Sequence, residues 1–276
     1  MLKTRVTTAL VLLALFLVAL FWLSPPAWAG FTGVLLIPAA WEWAKLIKLG
    51  RMGCGLYVVL VAAACASLFV SARVNSPIGQ PGTHVALYLI ASLFWIIVVP
   101  LWLWRSRLPR SRWLGGLTGL VVLVPTWLAL VELRGLGPPL LLLLMSVVWI
   151  SDSAAYFAGR RFGRHKLAPS ISPGKTWEGV GGALLAVSAY AALWSYAWQA
   201  YFPQVFRSTR FGAFGVLLFL WLLTAMGIYG DLLESAMKRR AGVKDSGALL
   251  PGHGGVLDRI DALTAVLPLA ALVYLR

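Results

Sequence analysis

Two pairs of acids in the second half of the chain have the spacing of a chemical site. Asp231 with Glu234, and Asp258 with Asp261, stand i, i+3, which puts both carboxylates of a pair on one face of a helix. Carboxylates facing one another in a partly dry site repel unless a cation lies between them, and hard oxygen donors favour magnesium over zinc. Lys238, Lys244 and Arg259 lie close by in sequence, so one place could hold a divalent metal and the anionic phosphates it coordinates. Phosphoryl chemistry needs that combination, because it consists chiefly of positioning and charge neutralisation.

Two loops add phosphate-binding chemistry. Gly252-His253-Gly254-Gly255 directly precedes Asp258; its glycines let backbone N–H groups approach a phosphate closely, and the helix start that follows attracts anions. His253 can bind phosphate or transfer a proton, although a lone histidine serves as readily as a structural donor. The second loop reads Ser172-Pro173-Gly174-Lys175-Thr176-Trp177-Glu178-Gly179. Its Gly-Lys-Thr resembles the end of a P-loop, but Pro169 stands where that motif needs glycine, and no strand is expected before it. What survives is Lys175 with the hydroxyls of Ser172 and Thr176 at a helix start, a phosphate grip.

The elements that must position these residues are membrane helices. Of 276 residues, 60% are hydrophobic and 12% charged, and the mean hydropathy is +0.84; a water-soluble chain of this length carries about twice that share of charge. Uncharged stretches recur at 6–23, 24–41, 52–72, 74–104, 113–131, 135–151, 179–206 and 211–230, and a ninth at 256–275 is clean only after Asp261. Each can cross roughly 30 Å of hydrocarbon as a helix. The expected fold is therefore all-α, a polytopic transmembrane protein of about nine helices. Trp22, Trp28, Trp41, Trp104, Trp113, Trp149 and Tyr201 suit interfacial belts.

The formal net charge of +15 is read as loop charge that sets orientation, not as a nucleic-acid surface. With a cytoplasmic N-terminus and alternating crossings, 19 of the 24 basic residues fall on the cytoplasmic side, and Arg73, Arg134, Arg207, Arg210 and Arg276 remain on the other. Eight of the nine acids share that cytoplasmic side, and Glu132 alone, with Arg134 near it, lies opposite. Glu42, three residues before Lys45, is expected to pair with it. The run Ala27-Trp28-Ala29-Gly30 imitates a cleavage site, but the first apolar stretch is long for a signal core and is expected to stay as a helix. Cys54 and Cys65 sit eleven residues apart on one expected helix, too far to bridge.

The motifs carry a resemblance. Ser235, Lys238-Arg239, Lys244-Asp245, His253-Gly254-Gly255 and Asp258-Arg259-Ile260-Asp261, fixed over 27 residues, resemble the signature of the phosphatidate cytidylyltransferases, or CDP-diacylglycerol synthases. A second block is similar to the same family: Asp152, Ala155-Tyr156, Gly159-Arg160, Phe162-Gly163, Ile171-Ser172-Pro173, Lys175-Thr176 and Glu178-Gly179. Gly230-Asp231-Leu232 with Glu234-Ser235 is a third. The resemblance spans about 150–262; the earlier residues match only in being hydrophobic.

The resemblance implies a multi-pass inner-membrane enzyme, its active site facing the cytoplasm, that transfers CMP from CTP to phosphatidate with release of pyrophosphate. It implies magnesium, held by Asp231, Asp258 and Asp261, with a second cation left open. Asp231, Lys238, Lys244, Asp245, His253, Asp258 and Asp261 would carry the chemistry. Asp152, Tyr156, Arg160, Ser172, Lys175, Thr176, Glu178, Ser235, Arg239 and Arg259 would bind substrate. Residues 1–134 would form the lipid-facing scaffold and 135–276 the motif-bearing helices of one membrane domain. CTP, phosphatidate and membrane lipids are the expected partners, nucleic acid is not, and a homodimer is left open. A polyprenol kinase or a CDP-archaeol synthase would share CTP and magnesium. A transporter would instead place charge or broken helices near the bilayer midplane.

The bias of basic residues predicts both motif loops on the cytoplasmic side. Reporter fusions after Lys166 and after Lys244 should each give a cytoplasmic signal, and a signal from the far side at either one would reverse the orientation.

Overall fold

The computed structural model describes residues 2–75, 84–105, 108–109, 111–201, 212–250, 252 and 254–275. Among them run nine helices: α1 (Leu2–Trp22), α2 (Pro25–Leu46), α3 (Arg51–Asn75), α4 (Val85–Trp104), α5 (Arg112–Leu136), α6 (Pro138–Phe162), α7 (Trp177–Tyr201), α8 (Ala213–Ala241) and α9 (Leu257–Tyr274). Five stretches among the described residues, Arg51–Ser71, Val85–Trp104, Arg112–Leu136, Pro138–Phe162 and Phe214–Ala241, are long and apolar enough to cross a membrane. The protein is an all-α membrane protein. Pro38, Pro125 and Pro268 lie inside α2, α5 and α9, tolerated because backbone in lipid has no better way than a helix to satisfy its polar groups. In α4 the turn Phe94–Val98 is π-helical, just before Pro100, which lacks the N–H that an α-helical turn would need there.

Four features differ from the hydropathy reading. The fourth helix does not begin at Val74; α3 runs to Asn75 and α4 starts at Val85. The helices α6 and α8 continue well past their apolar stretches, which end near Ser151 and Gly230, because helix geometry persists until a stop signal rather than until the first charge. For α8 that stop is Gly242, at φ +80. Its N–H donates to the Arg239 carbonyl and that of Val243 to Lys238, the paired return of a Schellman turn. A short antiparallel hairpin, β1 (Lys166–Ala168) and β2 (Ser172–Thr176), joins α6 to α7, with Lys166 opposite Thr176 and Ala168 opposite Ser172. Finally, Trp22, Trp104 and Trp113 are exposed but Trp28 is fully buried, and it belongs to the core rather than to an interfacial belt. Its Nε1 donates to the Leu130 carbonyl at 3.0 Å, while Trp127 Nε1 donates to the Ala29 carbonyl at 3.3 Å, so α2 and α5 are cross-linked in both directions. The run 27–30 lies within α2. Both cysteines are buried and free.

The bundle is organised on α9, whose residues 262–271 are all buried and which packs on α2, α4, α5, α6 and α8. With lipid as apolar as leucine, helices associate through close backbone approach and interhelical hydrogen bonds. Gly230 illustrates the first: a Cβ there would stand 2.5 Å from the Asp261 carbonyl oxygen, so α8 and α9 touch at the residues that carry the acids. Gly115, Gly116 and Gly119 on α5 illustrate both. Trp43 Nε1 donates to the Gly115 carbonyl at 3.0 Å and Tyr57 Oη to the Gly116 carbonyl at 2.9 Å. On the side away from the motifs, Glu132 is not simply near Arg134. It lies 2.7 Å from His84 Nδ1 and accepts a hydrogen bond from Tyr88 Oη at 2.8 Å, whereas Arg134 donates to the carbonyls of Leu20 and Leu23.

A Cβ at Gly119 would overlap the Tyr57 hydroxyl and the Trp43 indole, while Gly181 has open space around it. Gly119→Ala should therefore cost about 1–3 kcal/mol, read as a lowered melting temperature in detergent. Gly181→Ala should leave that temperature unchanged or raise it.

Candidate active site

The C-terminal ends of α6 and α8, the hairpin, and the N-terminal ends of α7 and α9 meet at one end of the bundle. The hairpin presents Lys175 from β2, and its Nζ lies 2.7 Å from Asp231 Oδ2 on α8. Lys175 and Thr176 thus stand on β2, directly before the start of α7 where they were expected. Thr176 is buried, and its Oγ1 accepts the Gly179 N–H at 3.1 Å, the N-cap bond that starts α7. Glu178 accepts from the His165 backbone N–H and approaches its Nδ1 to 2.7 Å. Both side chains therefore secure the hairpin to α7 in this structure. Arg239 Nε ties α8 to the same hairpin through the Ile171 carbonyl at 3.3 Å, beside Ser172, which pairs with Ala168.

Along α8 the i, i+3, i+4 spacing turns Asp231, Glu234, Ser235 and Lys238 toward one side. Ser235 Oγ donates to Asp231 Oδ1 at 3.1 Å. Lys238 Nζ bridges two acids, 2.6 Å from Glu234 Oε2 and 2.5 Å from Asp258 Oδ1. Those side chains are 3% and 5% exposed, so a single ammonium lies between two nearly dry carboxyl groups. The other oxygen of Glu234, Oε1, is buried with no hydrogen-bond partner. Asp261, one turn beyond Asp258, uses Oδ1 to accept the N–H of Ala262 at 2.8 Å and lies within electrostatic reach of Asp231, Asp152 and Lys175.

The loop before α9 is built around Asp258. Its Oδ2 accepts the N–H of Gly255 at 2.8 Å, the N–H of Ser246 at 3.0 Å and the Ser246 hydroxyl at 2.9 Å. Gly254 has φ +79, and a Cβ on it would come within 2.9 Å of that oxygen; both backbone and space require glycine. The glycine run expected to meet phosphate thus gives at least the Gly255 N–H to Asp258. His253 lies outside the described residues.

Beneath this loop sits Glu42 of α2, 4% exposed. It does not pair with Lys45. Oε1 accepts the N–H of Val256 at 3.1 Å, and Oε2 accepts the N–H of Leu257 at 2.8 Å and the hydroxyl of Ser246 at 3.1 Å. Sequence reasoning missed Glu42 and Ser246 as site components, and it named Glu234 in a pair without giving it a role of its own. Glu234 had a signal, its same-face spacing from Asp231. Glu42 had none, since its partners lie more than 200 residues away.

Of the remaining expected residues, Asp152 on α6 is in electrostatic reach of Lys175 and Asp231. Tyr156 and Arg160 pair with each other at 3.1 Å on the exposed side of α6. Lys244, Asp245 and Arg259 are exposed at the rim. The structure thus brings together Asp152, Lys175, Asp231, Ser235, Lys238, Asp258 and Asp261, and leaves Tyr156, Arg160, Lys244, Asp245 and Arg259 at the edge. No three acids or histidines among the described residues converge as a ready metal cage. Among the described residues, the carboxylates of Asp231, Glu234 and Asp258 are paired with just two ammonium groups, those of Lys175 and Lys238, and Asp152 and Asp261 are in electrostatic reach of Lys175. With a buried carboxylate oxygen unpartnered, this hard-oxygen set suits an added divalent cation.

The comparisons with known proteins cover the whole chain. The profile of the cytidylyltransferase family matches residues 3–275. The phosphatidate cytidylyltransferase of Pseudomonas aeruginosa is 39% identical over 287 residues, which cover 99% of this chain and 97% of that protein. That of Haemophilus influenzae is 35% identical over 99% of both chains, and that of Thermotoga maritima 32% identical over 99% of this chain and 96% of its own. Matched from Lys3 to Leu275, with the signature acids gathered at one end of its helices, the chain belongs to the cytidylyltransferase family.

Proposed function

We propose that this protein transfers CMP from CTP to phosphatidate, giving CDP-diacylglycerol and pyrophosphate, in a bacterial inner membrane with the site toward the cytoplasm. The observation that carries the reading is end-to-end similarity to phosphatidate cytidylyltransferases in a chain whose acids and lysines gather at one end of a membrane bundle. An oxygen of the phosphatidate phosphate attacks the α-phosphorus of CTP. A bond forms between them as the bond from that phosphorus to the β-phosphate oxygen breaks, and pyrophosphate leaves with the electron pair. The attacking phosphate is already ionised near neutral pH, so no strong general base is needed.

Magnesium fits the chemistry of the donor set and would be held by Asp231 and Asp261; Asp258, whose Oδ1 meets Lys238, would join by releasing it. When bound, it neutralises triphosphate charge and polarises the reacting phosphoryl group. Lys175, on a two-stranded hairpin, reaches phosphate by exchanging Asp231 for an incoming oxygen. Lys238 supplies fixed positive charge beside Asp258, worth most where water is excluded. Ser235 orients Asp231. Lys244 and Arg259 at the rim draw anionic substrate toward the site.

The deciding assay uses purified protein, phosphatidate, magnesium and CTP labelled at either the α or the γ phosphate. Label from the α position should enter the lipid fraction, and γ label should leave as pyrophosphate. Transfer of γ label to lipid would make the protein a kinase. Lys175→Ala should raise the KM for CTP or lower kcat while the amount of folded protein stays the same; unchanged kinetics with both substrates would leave Lys175 only an orientation charge. Asp258→Asn removes the charge that holds Lys238 and should lower kcat on the order of 10²-fold or more, after correction for membrane-inserted protein. Parent-rate turnover with the same magnesium dependence would end its assignment to the site.

A further inference from the structure

Glu42 stands outside every motif that suggested the reaction, yet its carboxylate has the marks of a built component. It is buried and meets three neutral donors, the N–H groups of Val256 and Leu257 and the Ser246 hydroxyl. No cation is among them. The two residues whose side chains would collide with it are glycines: a Cβ on Gly247 or Gly255 would overlap or crowd its Oε1. A buried carboxylate without a cation is costly unless its hydrogen bonds are complete, and here two of the three come from the start of α9, where the helix dipole favours negative charge.

The Ser246 hydroxyl links this acid to the site. Its Oγ lies 3.1 Å from Glu42 Oε2 and 2.9 Å from Asp258 Oδ2, so one proton is shared between two carboxylates. The Ser246 N–H points at Asp258 as well. With Oδ2 so held, Asp258 turns Oδ1 to Lys238.

We propose that Glu42 is a positioning residue for cytidylyl transfer: through Ser246 and the start of α9 it fixes the orientation of Asp258, and through Asp258 the place of the Lys238 ammonium. The proposal rests on the reaction assigned above. It makes α2, in the half of the chain without motifs, part of the machinery. Glutamine has the size of glutamate but carries an NH2 group in place of one acceptor oxygen. In Glu42→Gln that group faces the N–H of Val256 or of Leu257, donor against donor, so the clamp loosens with little change in volume.

The test is steady-state kinetics with CTP and phosphatidate in lipid nanodiscs, alongside melting temperature. Glu42→Gln should stay folded, lose about 10- to 100-fold in kcat, as removal of a supporting hydrogen-bond partner does, and keep its KM for CTP within about twofold of the parent. Ser246→Ala should be slowed in the same sense. Because both act through Asp258, the Glu42→Gln/Ser246→Ala double variant should be no slower than the worse single one, whereas Glu42→Gln combined with Lys175→Ala should multiply the losses. If Glu42→Gln fails to fold, Ser246→Ala decides alone: a folded, slowed enzyme with unchanged KM for CTP supports the clamp, and parent kinetics overturns it. An active parent with an equally active Glu42→Gln variant, or losses that multiply between positions 42 and 246, overturns the clamp but not the reaction. A parent that makes no CDP-diacylglycerol overturns both.

Discussion

One ammonium group shared by two nearly dry carboxylates governs the architecture of the site. Lys238 reaches Glu234 on its own helix and Asp258 on the next. Breaking one partner of such a buried pair leaves an uncompensated charge, which costs several kcal/mol. The α8 and α9 helices are therefore held in one register, and Gly230 allows them to meet closely enough for the bridge to form. The order of α9 then propagates outward, because it is the helix against which α2, α4, α5, α6 and α8 pack. A charge pair at one end and an apolar core along the remaining length specify the same arrangement.

Much of the fold was legible because lipid leaves the chain few choices. An uncharged run long enough to cross must satisfy its own backbone, so hydropathy places the nine helices to within a few residues at most ends. It fails where the determinant is not hydropathy. The α6 and α8 helices run on past Ser151 and Gly230 because charged residues are good helix formers once a helix exists, and the end of α8 is set by Gly242. The hairpin before α7 was hidden by Pro173 and Gly174, which weaken strand propensity; one of its ends is pinned by Glu178 reaching back to His165.

The candidate site divides along the same line. Spacing alone put Asp231 with Glu234 and Asp258 with Asp261; closeness in sequence suggested Lys238, and the resemblance added Ser235. Contacts within one or two turns of a helix are written in the sequence. Glu42 is different in kind. Its nearest cation in sequence is Lys45, and local reasoning selects that pair, but its donors are backbone N–H groups of a helix start more than 200 residues away. Backbone donors have no residue signature, so no pattern of side chains could have announced them. Trp28 was misplaced for a related reason, since an aromatic near a helix end serves a belt or a core equally well, and the carbonyl of Leu130 decides.

The position of the cluster also separates the reading from its rivals. A transporter needs its polar residues where both faces of the membrane can reach them in turn, near the midplane and often at broken helices. Here Lys238 stands in the last turn of α8 and Asp258 in the first turn of α9, while Asp152 and Asp231 lie one level deeper, about ten residues before the ends of α6 and α8. Helices that alternate in direction bring those ends to one face of the bundle. That is the level at which a water-soluble triphosphate and the phosphate of a membrane lipid can meet, each with its own solvent behind it. Beyond Asp261, α9 carries no acid, and the apolar lengths of these helices are of the kind that faces hydrocarbon. A reaction joining a nucleotide to a lipid needs both environments close together, and a polar cluster that begins at the helix ends and reaches into an apolar bundle meets that requirement.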